Sequence, residues 1–418
     1  MKRITAVILM LSLVFSTFVM QDAAVKADGM PEEEAAQEEA VETAGENSEA
    51  GESDSLELTA PSAILMESVT GKVIYEKNAD EQRSPASITK IMTLLLIFEE
   101  LEKGTLKMED EVTTSAHAKS MGGSQVFLEE GEKQNVETMI KCIVIASGND
   151  ASVAMAEHIA GSESEFVARM NAKAQDLGMK NTNFEDCCGL TDSPTHYTTA
   201  RDVSIMSREL ITKHEKVLEY SSIWMENITH VTAKGSKEFG LTNTNKMIRG
   251  YDGCVGLKTG STSVAKYCVS TVAKRNGITL LSIVMGAPEP KGRFKDASAM
   301  LNYGFGKCRL YQDESPWKPQ KITVNGALQG EVSVSRGGQF SYLDTEGNNL
   351  DNIESKVTLP ESTDAPIKKG DRAGTIRYYL NDKEIGSIDI CFDEDVEKAG
   401  YPQWLKRAFD CFLGKKQN

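Results

Sequence analysis

At 418 residues the chain is long enough for about two or three domains, and its 40% hydrophobic and 26% charged content is that of a globular protein. The net charge of −16 argues against a general nucleic-acid binder. Residues 28–57 carry twelve Asp/Glu and no Lys or Arg, so the remainder is only mildly acidic.

Met1 to Ala27 combines Lys2 and Arg3, an apolar run from Ile4 to Met20, and small residues at Val25 and Ala27. That pattern predicts a secretory signal peptide over 1–27, and hence export to the outer face of the cytoplasmic membrane or the cell wall. Residues 28–57 are Glu, Ala, Ser and Gly with few large apolar side chains, a composition that predicts a disordered acidic linker. Folded sequence begins near Ala60. Ala63 to Met66 and Lys72 to Glu76, joined through Thr70-Gly71, read as a β-hairpin.

Next comes Ser84-Pro85-Ala86-Ser87-Ile88-Thr89-Lys90, opening the apolar run Ile91 to Phe98. Ser84 reads as an N-cap, Pro85 as the first helical residue, and the run as a buried helix. Ser87 and Lys90, three residues apart, then share one face. Alone, S-x-x-K is equally compatible with a capping serine and a solvated lysine. Val136 to Ile145 has helical spacing and leads into Ser147-Gly148-Asn149; Ala151 to Ile159 and Ser164 to Leu177 follow as amphipathic helices. Strands return at Val255 to Lys258, Tyr267 to Ala273 and Thr279 to Met285, the last two joined at Asn276-Gly277. Helices bracketed by strands from both ends predict one α/β domain, 58–309, whose sheet gathers distant parts of the chain.

Residues 318–394 are short β-like runs separated by turn residues, which predicts a small all-β domain with no catalytic cluster. In 398–418, Tyr401, Trp404, Leu405, Ala408, Phe409, Phe412 and Leu413 form one helical stripe beside Lys406, Arg407, Lys415 and Lys416. That is the pattern of an amphipathic helix lying on a membrane surface. Eight cysteines are too sparse for a disulfide scaffold and none has zinc spacing. If any pair bridges, Cys254 and Cys268, flanking a strand and its neighbour, are the candidates.

Three motifs stand in order: Ser87-x-x-Lys90, Ser147-Gly148-Asn149 and Lys258-Thr259-Gly260. A serine hydroxyl needs a nearby base before it can attack, and no histidine is placed as one. Lys90, one turn away, can serve if burial and a second cation lower its pKa; Lys258 is that cation. Ser147 is suited to relay a proton, and Asn149 to hold both Lys90 and a substrate peptide. Lys258 and Thr259 offer a charge and a hydroxyl to a carboxylate, and Gly260 allows close backbone approach.

The ordered triple resembles the penicillin-binding-protein and serine β-lactamase superfamily, and more closely its low-molecular-mass D-alanyl-D-alanine carboxypeptidases. Further echoes are Gly189-Leu190, His196-Tyr197-Thr198-Thr199-Ala200, Asn302-Tyr303-Gly304-Phe305 and Pro366-Ile367-Lys368-Lys369-Gly370-Asp371. The resemblance implies an α+β catalytic domain with an antiparallel sheet and helices, followed by a small all-β domain. It implies removal of the terminal D-alanine from peptidoglycan stem peptides ending in D-Ala-D-Ala through a Ser87 acyl-enzyme, without metal or organic cofactor, and covalent inhibition by β-lactams. It also implies an oxyanion hole from the N–H groups of Ser87 and Ser261, and an arginine, Arg293, near the carboxylate site. Val255, Lys266 and Cys187-Cys188 depart from the family pattern and leave substrate preference open. A DD-endopeptidase or transpeptidase, a β-lactamase using Glu185, and a catalytically degenerate wall-binding protein are the other readings. Gly189 stands where the β-lactamase asparagine partner of Glu185 would be.

Overall fold

The protein is described from a computed structural model over residues 56–232, 235–318 and 320–413. The expected signal peptide, and the linker as far as residue 55, lie outside the described residues. In chain order the elements begin with β1 (Ser62–Glu67), β2 (Val73–Lys77), α1 (Lys90–Lys103), β3 (Glu111–Thr113), α2 (Ala116–Lys119) and β4 (Lys133–Asn135). Then come α3 (Val136–Val144), α4 (Asn149–Ala160), α5 (Glu163–Asp176), α6 (Ala200–Lys213), α7 (Val217–Ser221), β5 (Met225–Thr232), β6 (Gly235–Thr242) and α8 (Met247–Gly250). β7 (Cys254–Thr262), β8 (Lys266–Arg275), β9 (Ile278–Ala287) and α9 (Gly292–Lys307) complete this part.

Five strands form one antiparallel sheet in the order β2-β1-β9-β8-β7. The hairpin read near residue 60 supplies β1 and β2, and β1 lies beside β9 from the far end of the region, so the sheet does join distant sequence. Asn276 and Gly277, with φ of +49° and +77°, make the turn between β8 and β9, the geometry for which Asn-Gly is suited. The order leaves β7 at an edge, with one side paired to β8 and the other open to the helices.

α1 is the central helix, and its residues from Ile91 to Phe98 are all buried. A helix apolar on every side is stable only when surrounded. α1 packs against α3, α4, α5 and α6. Truncating Leu94 or Leu95, both fully buried, to alanine would cost about 2–5 kcal/mol. Neighbouring helices are capped from their own sequence: Asn135 accepts from the Thr138 N–H at 2.8 Å, and Thr199 from the Asp202 N–H at 3.0 Å.

One local expectation is corrected, and one open question is answered. Ser84 is not a cap: Ala86–Thr89 form a 3-10 turn before α1, Pro85 occupies the N-cap position, and the Ser84 hydroxyl is buried without a hydrogen-bond partner. The motif serine therefore sits in a tighter turn than the first turn of an α-helix. Cys254 and Cys268 are not bridged. Across β7 and β8, Cys254 faces Ala273 and Cys268 faces Gly260, so the register keeps them apart.

Beyond α9 the chain forms β10 (Arg309–Gln312), β11 (Gln320–Asn325), β12 (Glu331–Arg336), β13 (Ser341–Asp344), β14 (Ile353–Thr358), β15 (Ser362–Asp364), β16 (Arg372–Leu380) and β17 (Lys383–Phe392). Six of these make a sheet in the order β14-β16-β17-β12-β11-β15, and β10 pairs with β13. Ile322, Val332, Ile376, Tyr378 and Ile390 are buried together in a separate core. The last element, α10 (Tyr401–Phe412), buries no side chain. Among the described residues no helix is long and apolar enough to cross a membrane.

Candidate active site

The first cluster forms where the 3-10 turn meets α1. Ala86 has a φ of +46°, a left-handed conformation that costs a non-glycine residue about 1–3 kcal/mol. Gly189, at φ +77°, closes on this turn so tightly that a Cβ would lie 1.7 Å from the Ala86 carbonyl oxygen. Only glycine fits there, and the approach brings the Cys188 carbonyl to Lys90.

The Lys90 Nζ lies 3.0 Å from Ser87 Oγ, 2.6 Å from Asn149 Oδ1 and 2.7 Å from the Cys188 carbonyl oxygen. The Asn149 amide is oriented by its own Nδ2, which donates to the Gly122 carbonyl at 2.7 Å. Two of the three neighbours of Nζ can therefore only accept. A neutral amine gives its two hydrogens to them and turns its lone pair to the Ser87 hydroxyl. Lys90 is fully buried, and burial holds its pKa below the ordinary lysine range, with Asp186 and Asp150 among the groups pulling the other way.

The second cluster joins the loop between α3 and α4 to β7. Ser147 holds a φ of +61°, and its hydroxyl accepts from Lys258 Nζ at 2.8 Å. Lys258 also donates to the Thr259 carbonyl at 3.0 Å and is buried. Burial first, then the charges of Lys90 and Arg293, push its pKa well below that of a free lysine. The like-charge neighbours add to burial at Lys258, so its shift is the one they deepen. The amine expected as the second cation is thus itself poorly able to hold its proton.

β7 carries Thr259, Gly260 and Ser261, and α9 carries Arg293. A Cβ at Gly260 would come within 2.9 Å of the backbone nitrogens of Ser87 and Ile88, so the missing side chain is what lets the strand reach the turn. The Thr259 hydroxyl donates to Thr244 Oγ1 at 2.6 Å. Arg293, buried on α9, donates to the Gly260 carbonyl at 3.3 Å and lies over the rings of Tyr267 and Phe294. Ser261 follows, exposed and opposite Tyr267.

Several contributors have no motif of their own. The loop at Gly122 to Leu128 wraps Asn149 and Asp150: the Ser124 carbonyl accepts from the Asn149 N–H at 2.8 Å, and the Asp150 carboxylate accepts from the Val126 and Leu128 N–H groups. Cys188 takes part through its carbonyl, which no side-chain pattern announces. His196, buried, accepts the Glu185 N–H at Nδ1, so its Nε2–H is the donor to Thr89 Oγ1 at 2.9 Å. Glu185 itself is turned outward and bonded to the Thr195 hydroxyl, where hydrogen bonds hold its pKa down. It is not held at Ser87 or Lys90, and a β-lactamase reading gains nothing from it. Among the described residues no group of three His, Cys, Asp or Glu is arranged to hold a metal ion.

Residues 47–289 match the family model described as D-alanyl-D-alanine carboxypeptidase, and residues 305–398 that of the penicillin-binding protein 5 C-terminal domain. The D-alanyl-D-alanine carboxypeptidase DacF of Bacillus subtilis is 42% identical over 353 residues, 84% of this chain and 89% of the relative. DacC of Escherichia coli is 34% identical over 81% of this chain and 84% of its own length. The crystal structure of penicillin binding protein 5 from Haemophilus influenzae superposes with a TM-score of 0.68 at 28% identity, covering 83% of this chain and all of that one. With its ordered triple assembled at the edge of an antiparallel sheet, the chain belongs to the D-alanyl-D-alanine carboxypeptidase family and is a hydrolase of that type.

Proposed function

We propose that Ser87 is the nucleophile of a D-Ala-D-Ala carboxypeptidase acting on peptidoglycan stem peptides, with Lys90 as its base and Ser147 as a proton relay. The substrate peptide adds to the open edge of β7, passing between Asn149 and the strand, with its terminal carboxylate at Lys258 and Thr259 and Arg293 behind. Ser87 Oγ attacks the carbonyl carbon of the penultimate D-alanine while its proton passes to Lys90. The oxyanion is held by the N–H groups of Ser87 and Ser261. Collapse of the tetrahedral intermediate breaks the C–N bond, and the leaving amine receives its proton through Ser147. Water then attacks the ester, returning the proton to Ser87 and releasing the shortened peptide. Every proton and electron pair is moved by these side chains and water, so the steps call for neither metal nor organic cofactor. A β-lactam acylates the same serine and is released slowly.

The observation that carries this reading is the set of neighbours around Lys90 Nζ: two obligate acceptors and the Ser87 hydroxyl at 3.0 Å. The test is release of free D-alanine from a peptide ending Lys-D-Ala-D-Ala by the purified protein, with Ser87→Ala as control. No release by the wild type, or equal release by the variant, would sink it.

In the same reading, residues 58–309 are the catalytic domain, 318–394 an all-β spacer, and 398–418 the segment whose helix, α10, lies in a membrane surface on the outer face of the cytoplasmic membrane. What supports the helix is that Tyr401, Trp404, Leu405, Phe409, Phe412 and Leu413 are all exposed on one short helix. Deleting 398–418 is expected to free the protein from membrane fractions after signal cleavage; unchanged sedimentation would contradict the anchor.

A further inference from the structure

Between β6 and α8 the sequence reads Asn243-Thr244-Asn245, and Thr244 and Asn245 reach β7. Both asparagines are buried, at 3% and 1% exposure, and their amides are spent on backbone. Asn243 Nδ2 donates to the carbonyls of Ser221 and Ile223 at 3.0 and 2.8 Å, and its Oδ1 accepts from the Asn245 N–H at 2.9 Å. Asn245 Nδ2 donates to the Gly256 carbonyl of β7 at 3.1 Å. The Thr244 N–H donates to the Ile145 carbonyl at 3.2 Å, two residues before Ser147. Thr244 is therefore pinned between the loop of the second motif and the strand of the third. Half-buried, it directs its hydroxyl at Thr259 across 2.6 Å.

A hydroxyl has one hydrogen. In the structure Thr259 gives it to Thr244, and among the described residues no acceptor engages the hydrogen of Thr244. When a carboxylate reaches Thr259, the Thr259 hydrogen has to turn to the anion, because an ionised acceptor makes the stronger bond. Its oxygen is then left facing Thr244 Oγ1 with no hydrogen between them, unless the Thr244 hydroxyl rotates to donate in return.

We propose that Thr244 is a positioning residue for recognition of the substrate's terminal carboxylate, reversing its hydrogen bond with Thr259 when the carboxylate binds. The Thr244 hydroxyl then donates to Thr259 Oγ1 and the Thr259 hydroxyl to the anion, a two-hydroxyl chain that polarises towards the negative charge. This rests on the reading of Lys258 and Thr259 as the carboxylate site. It gives Thr244 a share in what makes the enzyme an exopeptidase, since it acts only on substrates that present a free terminal carboxylate.

The test compares kcat/KM for a peptide ending Lys-D-Ala-D-Ala with that for the same peptide carrying a C-terminal amide. In the full chain, Thr244→Val is expected to lower the ratio of the two about tenfold, mainly through KM for the acid, since a bond to an ionised group is involved. Thr244→Ser, which restores a hydroxyl, is expected to return the ratio to within about threefold of wild type. Thermal unfolding is measured alongside, and if the valine variant does not fold, Thr244→Ala takes its place. A Thr244 variant that lowers both substrates equally, or neither, while Thr259→Val collapses the ratio, overturns the proposal and leaves the carboxylate site standing. If Thr259→Val also leaves the ratio unchanged, the carboxylate reading falls, and the role of Thr244 with it.

Discussion

The catalytic cleft and the final helix invert the usual partition of side chains in opposite ways. In the cleft, two lysines that would ordinarily be solvated are buried to 0% and 1% exposure. On α10, Tyr401, Phe409 and Phe412 stand 79%, 63% and 88% exposed. Each arrangement costs free energy in the isolated chain, since a buried charge loses its hydration and an exposed aromatic surface orders water. The costs are held differently. The lysines are fixed by hydrogen bonds from three separate segments of chain, whereas α10 is tied back through the Arg407 Nη1 bond to the Leu328 carbonyl at 2.6 Å. Buried charge built into a rigid network suits chemistry on a substrate that enters it; apolar surface on a terminal helix suits a surface the molecule settles on.

The sharpest way to break the first half of this contrast is at Lys90. Lys90→Gln keeps a long polar side chain but removes the lone pair that receives the Ser87 proton. Acylation by a fluorescent penicillin is expected to slow by about 10²–10⁴-fold, the range for loss of a general base. A decrease of less than tenfold would mean that another group deprotonates Ser87. The second half breaks more gently. Phe409→Ser removes one exposed aromatic ring, so binding to anionic lipid vesicles is expected to weaken by about 10- to 150-fold, in line with about 1.5–3 kcal/mol for a buried Phe. Thermal unfolding is expected to stay unchanged, because no side chain of α10 is buried.

The two regions were also unequally legible. Ser87, Lys90, Ser147, Asn149 and Lys258 could be picked out because side-chain chemistry at short spacing is written into linear sequence, and the fully apolar run of α1 because its composition leaves it nowhere but the interior. The stripe of α10 was equally plain from its period. The Cys188 carbonyl and the Gly189 contact were not, because a backbone atom has no residue signature and close approach depends on where distant loops arrive. Thr244 escaped for the same reason, lying 15 residues from Thr259 with its role set by the packing of two buried asparagines. The β5–β6 hairpin was missed because its strands, exposed on most positions, lack a clear apolar alternation. Ser84 misled because Ser-Pro before an apolar run carries the local signal of a capped helix, and the tighter turn comes from the packing of Gly189 and Gly260 against it.

The smallest expected effect bears on the cost of the buried charge itself. Lys258 has its folded-state pKa pushed down by burial and by Lys90 and Arg293, so between that lowered value and the unfolded value near 10.4 the unfolded chain binds more protons than the folded one. Stability from this group must then rise with pH across that window. Lys258→Met removes the amine while keeping much of its volume, at the loss of the donor to Ser147 and to the Thr259 carbonyl. The variant is expected to lose carboxypeptidase activity yet to be about 0.5–2 kcal/mol more stable to urea near pH 7, as happens where a site trades stability for function. That advantage is expected to shrink as the pH rises through about 10.4, above which the wild-type amine is neutral in both states. If the variant is instead less stable near neutrality and the gap does not change with pH, Lys258 carries no charge penalty. The contrast with α10 would then reduce to the aromatic surface alone.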